Sequence, residues 1–135
     1  MNFKKRIIIA VSVLACIVTI SFFAFNIIGL NNNNIIEKGF IKKSKNIQFK
    51  SNKDYEYINF EIMFFKNDIK NDKVYYTILN PKQNIIHKGT INYKNNNTGE
   101  LTSRGMKGIW KIKLISENKN TNLEYKCHIK TGNYK

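Results

Sequence analysis

The chain has 135 residues and a formal charge of +14, from 23 Lys and Arg against 9 Asp and Glu. This length accommodates one domain, and two cysteines are too few for the disulfide framework of a small secreted eukaryotic module. Only Arg6 and Arg104 are arginines, so sequence-specific nucleic-acid binding, which depends on bidentate arginine, is not expected. The lysine excess fits a polyanionic ligand, and it fits equally the codon bias of an AT-rich genome.

The N-terminal segment predicts a membrane anchor. Residues 1–6 are a short basic stub, and residues 7–30 form a run of 24 side chains without charge. A helix of this length would extend about 36 Å, which exceeds the roughly 30 Å hydrocarbon core of a bilayer. Because Lys4, Lys5 and Arg6 precede the run, the positive-inside rule keeps the N-terminus in the cytoplasm. We therefore predict a single-pass protein of the cell membrane with an extracytoplasmic C-terminal domain.

Two processed forms of the same segment stay open. The sequence VLAC at residues 13–16 resembles the lipobox of bacterial lipoproteins, which makes Cys16 a candidate lipidation site. A cleaved signal peptide is the other form, although the run is longer than the about 7–15 apolar residues typical of such peptides. Whether the segment is retained, lipidated or cleaved, the domain that follows it is expected outside the cytoplasm.

Residues 31–35 predict an asparagine-rich hinge, and residues 36–135 predict an all-β domain. Beyond the hinge, apolar and polar residues alternate in short runs separated by turn residues, without helical periodicity. The predicted strands lie within residues 36–49 (one or two strands), 55–65, 74–79, 85–93, 110–114 and 123–129, with a short strand from Leu101. Six to eight strands at this spacing favour a small antiparallel β-sandwich that follows one N-terminal transmembrane helix.

The alternation also predicts which side chains form the core. The largest core residues are expected to be Phe60, Phe64, Trp110 and Tyr125. Adjacent residues of a strand point to opposite faces, so Cys127 is expected in the core and His128 in solvent.

Three short patterns follow one another in the middle of the chain. They are Tyr-x-Ile-x-Asn-Pro at residues 76–81, then Ile86 and Gly89, and then Gly-x-Trp-x-Ile at residues 108–112. This order resembles that of Ig-like and GOLD-type β-sandwich domains, in which a hairpin follows an Asn-Pro turn and a later aromatic strand packs inward. The resemblance implies an adhesion, cargo or accessory module. An anchor before such a domain is also similar to the layout of many surface proteins of low-GC Gram-positive bacteria.

No pattern in the sequence indicates catalysis, a cofactor or a metal. Cys127 and His128 point apart, which argues against a nucleophile pair, and the two histidines lack the spacing of metal ligands. The few acids do not pair as a glycosidase requires, and Asp68 and Asp72 lie in a turn where solvated side chains are expected. We therefore predict a protein that is not an enzyme and uses no cofactor.

Four tyrosines predict a ligand face. Tyr55, Tyr57, Tyr75 and Tyr93 fall on strand positions expected to face outward among lysines, where aromatic rings stack on sugars or dock a partner. The alternative is an ordinary half-buried second face of a sheet.

The sequence thus predicts a membrane-anchored extracytoplasmic binding or accessory module that meets an envelope polymer or a protein partner. A structural subunit of a membrane complex is the alternative from another class. A lipoprotein or secreted β-sandwich, with Cys16 as the lipidation site, is the third reading. An enzyme would need a deep pocket with convergent carboxylates or a Cys–His contact.

Overall fold

The structure, a computed structural model of the chain, describes residues 28–29, 34–118 and 122–134. Most of the N-terminal segment lies outside the described residues. This part includes the predicted stub of residues 1–6, residues 7–27 and 30 of the predicted anchor with Cys16, and residues 31–33 of the predicted hinge. Within the described residues, all regular secondary structure is β-strand. These residues contain no helix that is long and apolar enough to cross a membrane.

Nine strands make up two sheets in the described part of the chain. They are β1 (Ile28–Gly29), β2 (Asn34–Ile41), β3 (Ser44–Ser51), β4 (Tyr55–Phe64), β5 (Val74–Leu79), β6 (Ile85–Ile91), β7 (Leu101–Gly105), β8 (Gly108–Ser116) and β9 (Leu123–Gly132). The five-stranded sheet has the order β1-β3-β8-β5-β6, and the four-stranded sheet has the order β2-β9-β4-β7. All neighbours pair antiparallel except β1 and β3. The eight strands β2–β9 pair with one another only antiparallel, so the predicted all-β fold with six to eight antiparallel strands is confirmed.

The structure differs from the prediction where the anchor meets the domain. Ile28 and Gly29, at the end of the predicted helix, are strand and pair in parallel with Phe49 and Lys50 of β3. Asn34, inside the predicted hinge, already pairs with β9. Backbone hydrogen bonds to β3 and β9 satisfy the polar groups at these positions, and side-chain hydropathy alone does not predict this pairing.

The turn predicted around the chain's single proline is confirmed as the β5–β6 connection. The side-chain oxygen of Asn80 accepts hydrogen bonds from the backbone N–H groups of Lys82 and Asn84, both at 3.0 Å. Gln83 has a φ of 65°, a left-handed conformation that this turn requires. The β5–β6 hairpin that carried the family resemblance therefore has the expected turn at its tip.

An aromatic cluster joins the two sheets. The Trp110 ring of β8 stacks on Phe49 of β3 at 6.1 Å and meets Phe60 of β4 at 5.5 Å. The indole N–H donates to the backbone oxygen of Met106 at 2.8 Å, so the buried polar atom has a partner. All four side chains predicted as the largest of the core are buried: Phe60, Phe64, Trp110 and Tyr125.

Four tyrosines pair with glycines on neighbouring strands. The pairs are Tyr55 with Gly105, Tyr57 with Gly132, Tyr76 with Gly89 and Tyr125 with Gly39. In each pair, a Cβ added to the glycine would come within 3.0 Å of the tyrosine side chain. At Gly39, Gly89 and Gly132 the close atoms belong to the ring or hydroxyl, so the missing side chain makes room for an aromatic residue packed over glycine. At Gly105 the close atoms are the Tyr55 Cβ and backbone oxygens.

Because Trp110 is the chain's single tryptophan, its fluorescence reports on the core. Phe60→Ala is expected to lower the free energy of unfolding by about 3–5 kcal/mol, since it leaves a cavity against Trp110. The measurement is urea unfolding of the full chain followed by tryptophan emission. Phe65→Ala is the matched control, because Phe65 is 61% exposed and should change the free energy by about 0.5 kcal/mol or less. Equal losses for both variants would contradict the assigned core.

Candidate binding surfaces

The outer face of the five-stranded sheet carries a group of four lysines, Lys50, Lys88, Lys111 and Lys113, which we call the lysine face. Trp110, Ile112 and Leu114 of β8 point into the core, so Lys111 and Lys113 between them point outward. The strand register places Lys113 of β8, Thr77 of β5 and Lys88 of β6 side by side across the sheet.

Neighbouring outward positions complete this face. Lys50 of β3 lies opposite Ile109, two residues along β8 from Lys111. Adjacent strands are about 4.8 Å apart and same-face residues of one strand about 7 Å apart, so the four lysines form one contiguous group. The remaining outward side chains of these rows are uncharged: Ser44, Asn46, Gln48, Tyr75, Thr77, Leu79, Ile85, Thr90, Ile109 and Ile115.

Acidic residues are segregated from this sheet. Among the described strands, β3, β5, β6 and β8 contain five lysines and neither Asp nor Glu. The strands of the other sheet contain four glutamates against three lysines and one arginine. The strands β3, β5, β6 and β8 therefore carry a net charge of +5, whereas the charges on the strands of the other sheet cancel.

The four tyrosines predicted as one ligand face do not lie together. Tyr75 is 43% exposed on the outer face of the five-stranded sheet, whereas Tyr55 and Tyr57 belong to β4 of the other sheet. Tyr55 is buried and lies at the position where the register of β4 against β7 shifts. Tyr93 lies in the loop after β6. The single ligand face is thus wrong, because β4 and β5 pack on opposite sides of the core.

Two of these tyrosines have a lysine over the ring. The ammonium group of Lys53 lies 5.1 Å from the ring centroid of Tyr55, and that of Lys66 lies 5.0 Å from Tyr93. Such contacts are cation–π interactions within the protein. The interleaving of tyrosine and lysine in the sequence therefore has an intramolecular explanation at Tyr55 and Tyr93.

A cleft on the outer face of the four-stranded sheet was not predicted. It measures about 490 Å³ and is lined by Tyr57, Asn59, Thr102, Asn133 and Tyr134, and we call it the tyrosine cleft. Of these residues, only Tyr57 had been predicted as a ligand contact. Continuing the alternation of the last strand past residue 129 would have placed Tyr134 on the outward face, so the signal was present in the sequence.

Cys127 lies in the core, as predicted, beside a glutamate of the neighbouring strand. Its register partner is Glu37 of β2. Burial, reinforced by the negative charge of Glu37, raises the pKa of the Cys127 thiol to about 12. The same two causes, with burial the larger, raise the pKa of the neighbouring Tyr125 above its ordinary value. Both groups are therefore neutral at physiological pH, and the thiol is held in its unreactive form.

Asp72 differs from the solvated turn acid that was predicted. It is buried, and its carboxylate accepts hydrogen bonds from the backbone N–H groups of Lys73 and Asn118 and from the Ser116 hydroxyl, at 2.7, 3.0 and 2.8 Å. This carboxylate ties the β4–β5 loop to the end of β8. Over the described residues, no three His, Cys, Asp or Glu side chains gather as metal ligands would.

No family model matches the chain, and no curated protein sequence matches it. Among solved structures, the chain is similar to PliG of Aeromonas hydrophila, a periplasmic inhibitor of g-type lysozyme, at 7% identity and a TM-score of 0.46 over 78% of this chain and 95% of that one. It is similar to the Yersinia pseudotuberculosis-derived mitogen at 13% identity and a TM-score of 0.49, over 76% and 89%.

A third similar structure holds the M60 catalytic domain and two CBM51 domains of Clostridium perfringens ZmpB. The identity is 12% and the TM-score 0.48, over 70% of this chain and 11% of that one.

The buried thiol gives a direct test of the strand assignment of β9. In a Cys16→Ser chain, Cys127 should react with a disulfide reagent at pH 8 at least about a hundredfold more slowly than in urea, because both accessibility and thiolate fraction are low in the folded state. The measurement is the rate of thiol modification with and without denaturant. Fast modification of the folded protein would show that Cys127 is not buried in the core beside Glu37.

Proposed function

We propose that the protein is a membrane-anchored extracytoplasmic module whose lysine face binds a polymer carrying phosphate groups. The observation that carries the proposal is the grouping of Lys50, Lys88, Lys111 and Lys113 on one sheet face whose strands contain no acid. Such a face attracts polyanions and holds them through many exchangeable contacts.

The choice of lysine over arginine fits an extended polymer. The ammonium group is a compact point charge on a flexible stem, whereas guanidinium forms planar bidentate contacts with one fixed geometry. Thr77, Gln48 and Asn46 lie in the same rows as the lysines and supply neutral hydrogen-bonding groups. The face therefore suits repeated anions of variable spacing better than a single defined ligand.

The N-terminal anchor is part of this proposal, limited to residues 7–27 because Ile28 and Gly29 pair with β3. With the basic stub in the cytoplasm, the domain faces the cell envelope, where acidic polymers and anionic lipid headgroups both present phosphates. In this proposal, the domain binds and does not catalyse.

A structural subunit of a membrane complex is the second candidate, and one observation favours it. Ile36 and Phe40 point outward from the edge strand β2 and are 52% and 58% exposed. Exposed apolar side chains on an edge are typical of protein contacts. In that case the double variant Ile36→Ser, Phe40→Ser would dissociate the complex. Substitutions of the lysine face would leave the complex intact.

The test replaces Lys50, Lys88, Lys111 and Lys113 by glutamine in the full chain held in detergent. Binding to soluble polyglycerol phosphate should weaken by at least about thirtyfold, since each lysine near a dense anionic surface contributes about 1 kcal/mol. The parent chain should also lose affinity steeply between about 50 and 200 mM salt, and the variant much less. A parallel titration with phosphatidylglycerol vesicles shows whether lipid or free polymer is the better source of phosphate.

The matched control replaces four lysines elsewhere, Lys38, Lys42, Lys126 and Lys130, and so removes the same charge. It should weaken polymer binding by less than about threefold, because these side chains lie outside the lysine face. Equal losses in both variants would mean that net charge alone attracts the polymer, and the assigned face would be wrong.

A further inference from the structure

The tyrosine cleft presents two aromatic rings set at an angle. The ring centroids of Tyr57 and Tyr134 are 5.3 Å apart, and the planes are inclined by 44°. Tyr134 is 70% exposed, so one of its faces is available to a ligand. Two inclined rings at the wall of an open cleft form a platform for a flat, partly apolar molecule.

The Tyr57 ring and the backbone of Tyr134 are held in place by contacts that do not involve a ligand. Tyr57 lies across the backbone of β9 at Gly132, where a Cβ would be 2.3 Å from the tyrosine hydroxyl. Tyr134 is positioned through Glu56, whose carboxylate accepts the Tyr134 backbone N–H and whose own backbone N–H donates to the Asn133 side chain at 3.0 Å. Tyr57 and the backbone that carries Tyr134 are therefore in place before a ligand arrives, which reduces the entropy lost on binding.

The polar lining of the cleft is uncharged. Thr102 of β7 lies opposite Asn59 of β4, and Asn133 completes the group. Among the described residues, the side-chain oxygen of Asn59 is buried without a hydrogen-bond partner. The Asn133 oxygen is engaged by Glu56, which leaves its NH₂ group as the donor. The cleft thus offers amide donors and a hydroxyl beside the aromatic rings, whereas the Asn59 oxygen is buried beneath its surface.

We propose that the tyrosine cleft binds a pyranose unit of an uncharged saccharide. A pyranose has apolar C–H faces that pack on tyrosine rings and hydroxyl groups at its edge that pair with amides. The side-chain NH₂ groups of Asn59 and Asn133, which line the cleft, donate to oxygens of the sugar. This site lies on the sheet opposite the lysine face and is independent of polyanion binding.

A proline-rich peptide is the rival occupant, since such segments also dock on aromatic grooves. Its recognition needs apolar ridges between aromatic residues. Here the positions beside the rings are Asn59, Thr102 and Asn133, whose polar groups match the hydroxyls of a sugar more closely. The saccharide is therefore the occupant that the lining favours.

The test titrates the full chain in detergent with cellotriose, maltotriose and chitotriose by calorimetry. At least one should bind with a dissociation constant below about 1 mM. Tyr134→Ala and Asn59→Ala should each weaken that binding at least about tenfold. Asn59→Ala should leave the urea midpoint unchanged or raise it, because it removes an unpaired buried acceptor, whereas a structural role for Asn59 would lower the midpoint.

Tyr93→Ala is the matched control, since Tyr93 is 41% exposed in a loop away from the cleft, and it should bind the saccharide as the parent does. Unchanged tryptophan emission of Trp110 shows that each variant is folded. The proposal is overturned if none of the three saccharides binds, if Tyr134→Ala binds as tightly as the parent, or if decaproline binds in a Tyr134-dependent way while the saccharides do not.

Discussion

The packing of Trp110 and Phe49 of one sheet against Phe60 of the other is the contact on which the outer surfaces depend. These three rings lie within 6.1 Å of one another and fix which residues of β3, β4 and β8 point inward. Side chains of a strand alternate with a period of two, so a register slip of one residue would exchange the inner and outer sets completely. The grouping of the lysines is therefore a consequence of where the aromatic residues pack.

The interior could be predicted from the sequence because alternation is a local property. The inward residues of β4, β8 and β9 follow directly from the apolar positions of each segment, and Phe64, Trp110 and Tyr125 are buried as expected. Strand pairing is not local, since β4 and β5 are consecutive in the chain yet belong to different sheets. Tyr57 and Tyr75 were grouped for that reason although the core separates them.

The same distinction explains why the tyrosine cleft was not predicted. Asn59, Thr102 and Tyr134 come from three separate segments of the chain and meet only through the β4–β7 and β4–β9 pairings. The glycines that accommodate tyrosine rings are likewise meaningful only in pairs, as Gly132 shows beneath Tyr57. Buried Asp72 gives a third case, because its partners at residues 116 and 118 lie more than forty positions away.

The distribution of charge separates two explanations for the basic composition. An AT-rich genome raises the frequency of lysine codons everywhere and does not distinguish one sheet from the other. Within the described strands, however, all four glutamates lie in the four-stranded sheet, at positions 37, 56, 61 and 124. Composition bias accounts for the number of lysines, and the exclusion of acids from one face is a separate feature, for which the proposed polyanion binding would account.

The outer face of the four-stranded sheet, which carries the tyrosine cleft, contains a polar residue that lowers the stability of the fold. A buried oxygen without a hydrogen-bond partner, such as that of Asn59, costs about 1–3 kcal/mol of folding free energy. An apolar residue there would remove this cost, and the neighbouring Met63 shows that β4 accommodates apolar side chains on this face. The side chains around Asn59 are meanwhile held by specific contacts, namely Tyr57 over Gly132 and Tyr134 through Glu56. A polar residue kept beside the aromatic rings at a cost in stability is the arrangement expected where that residue contacts a ligand.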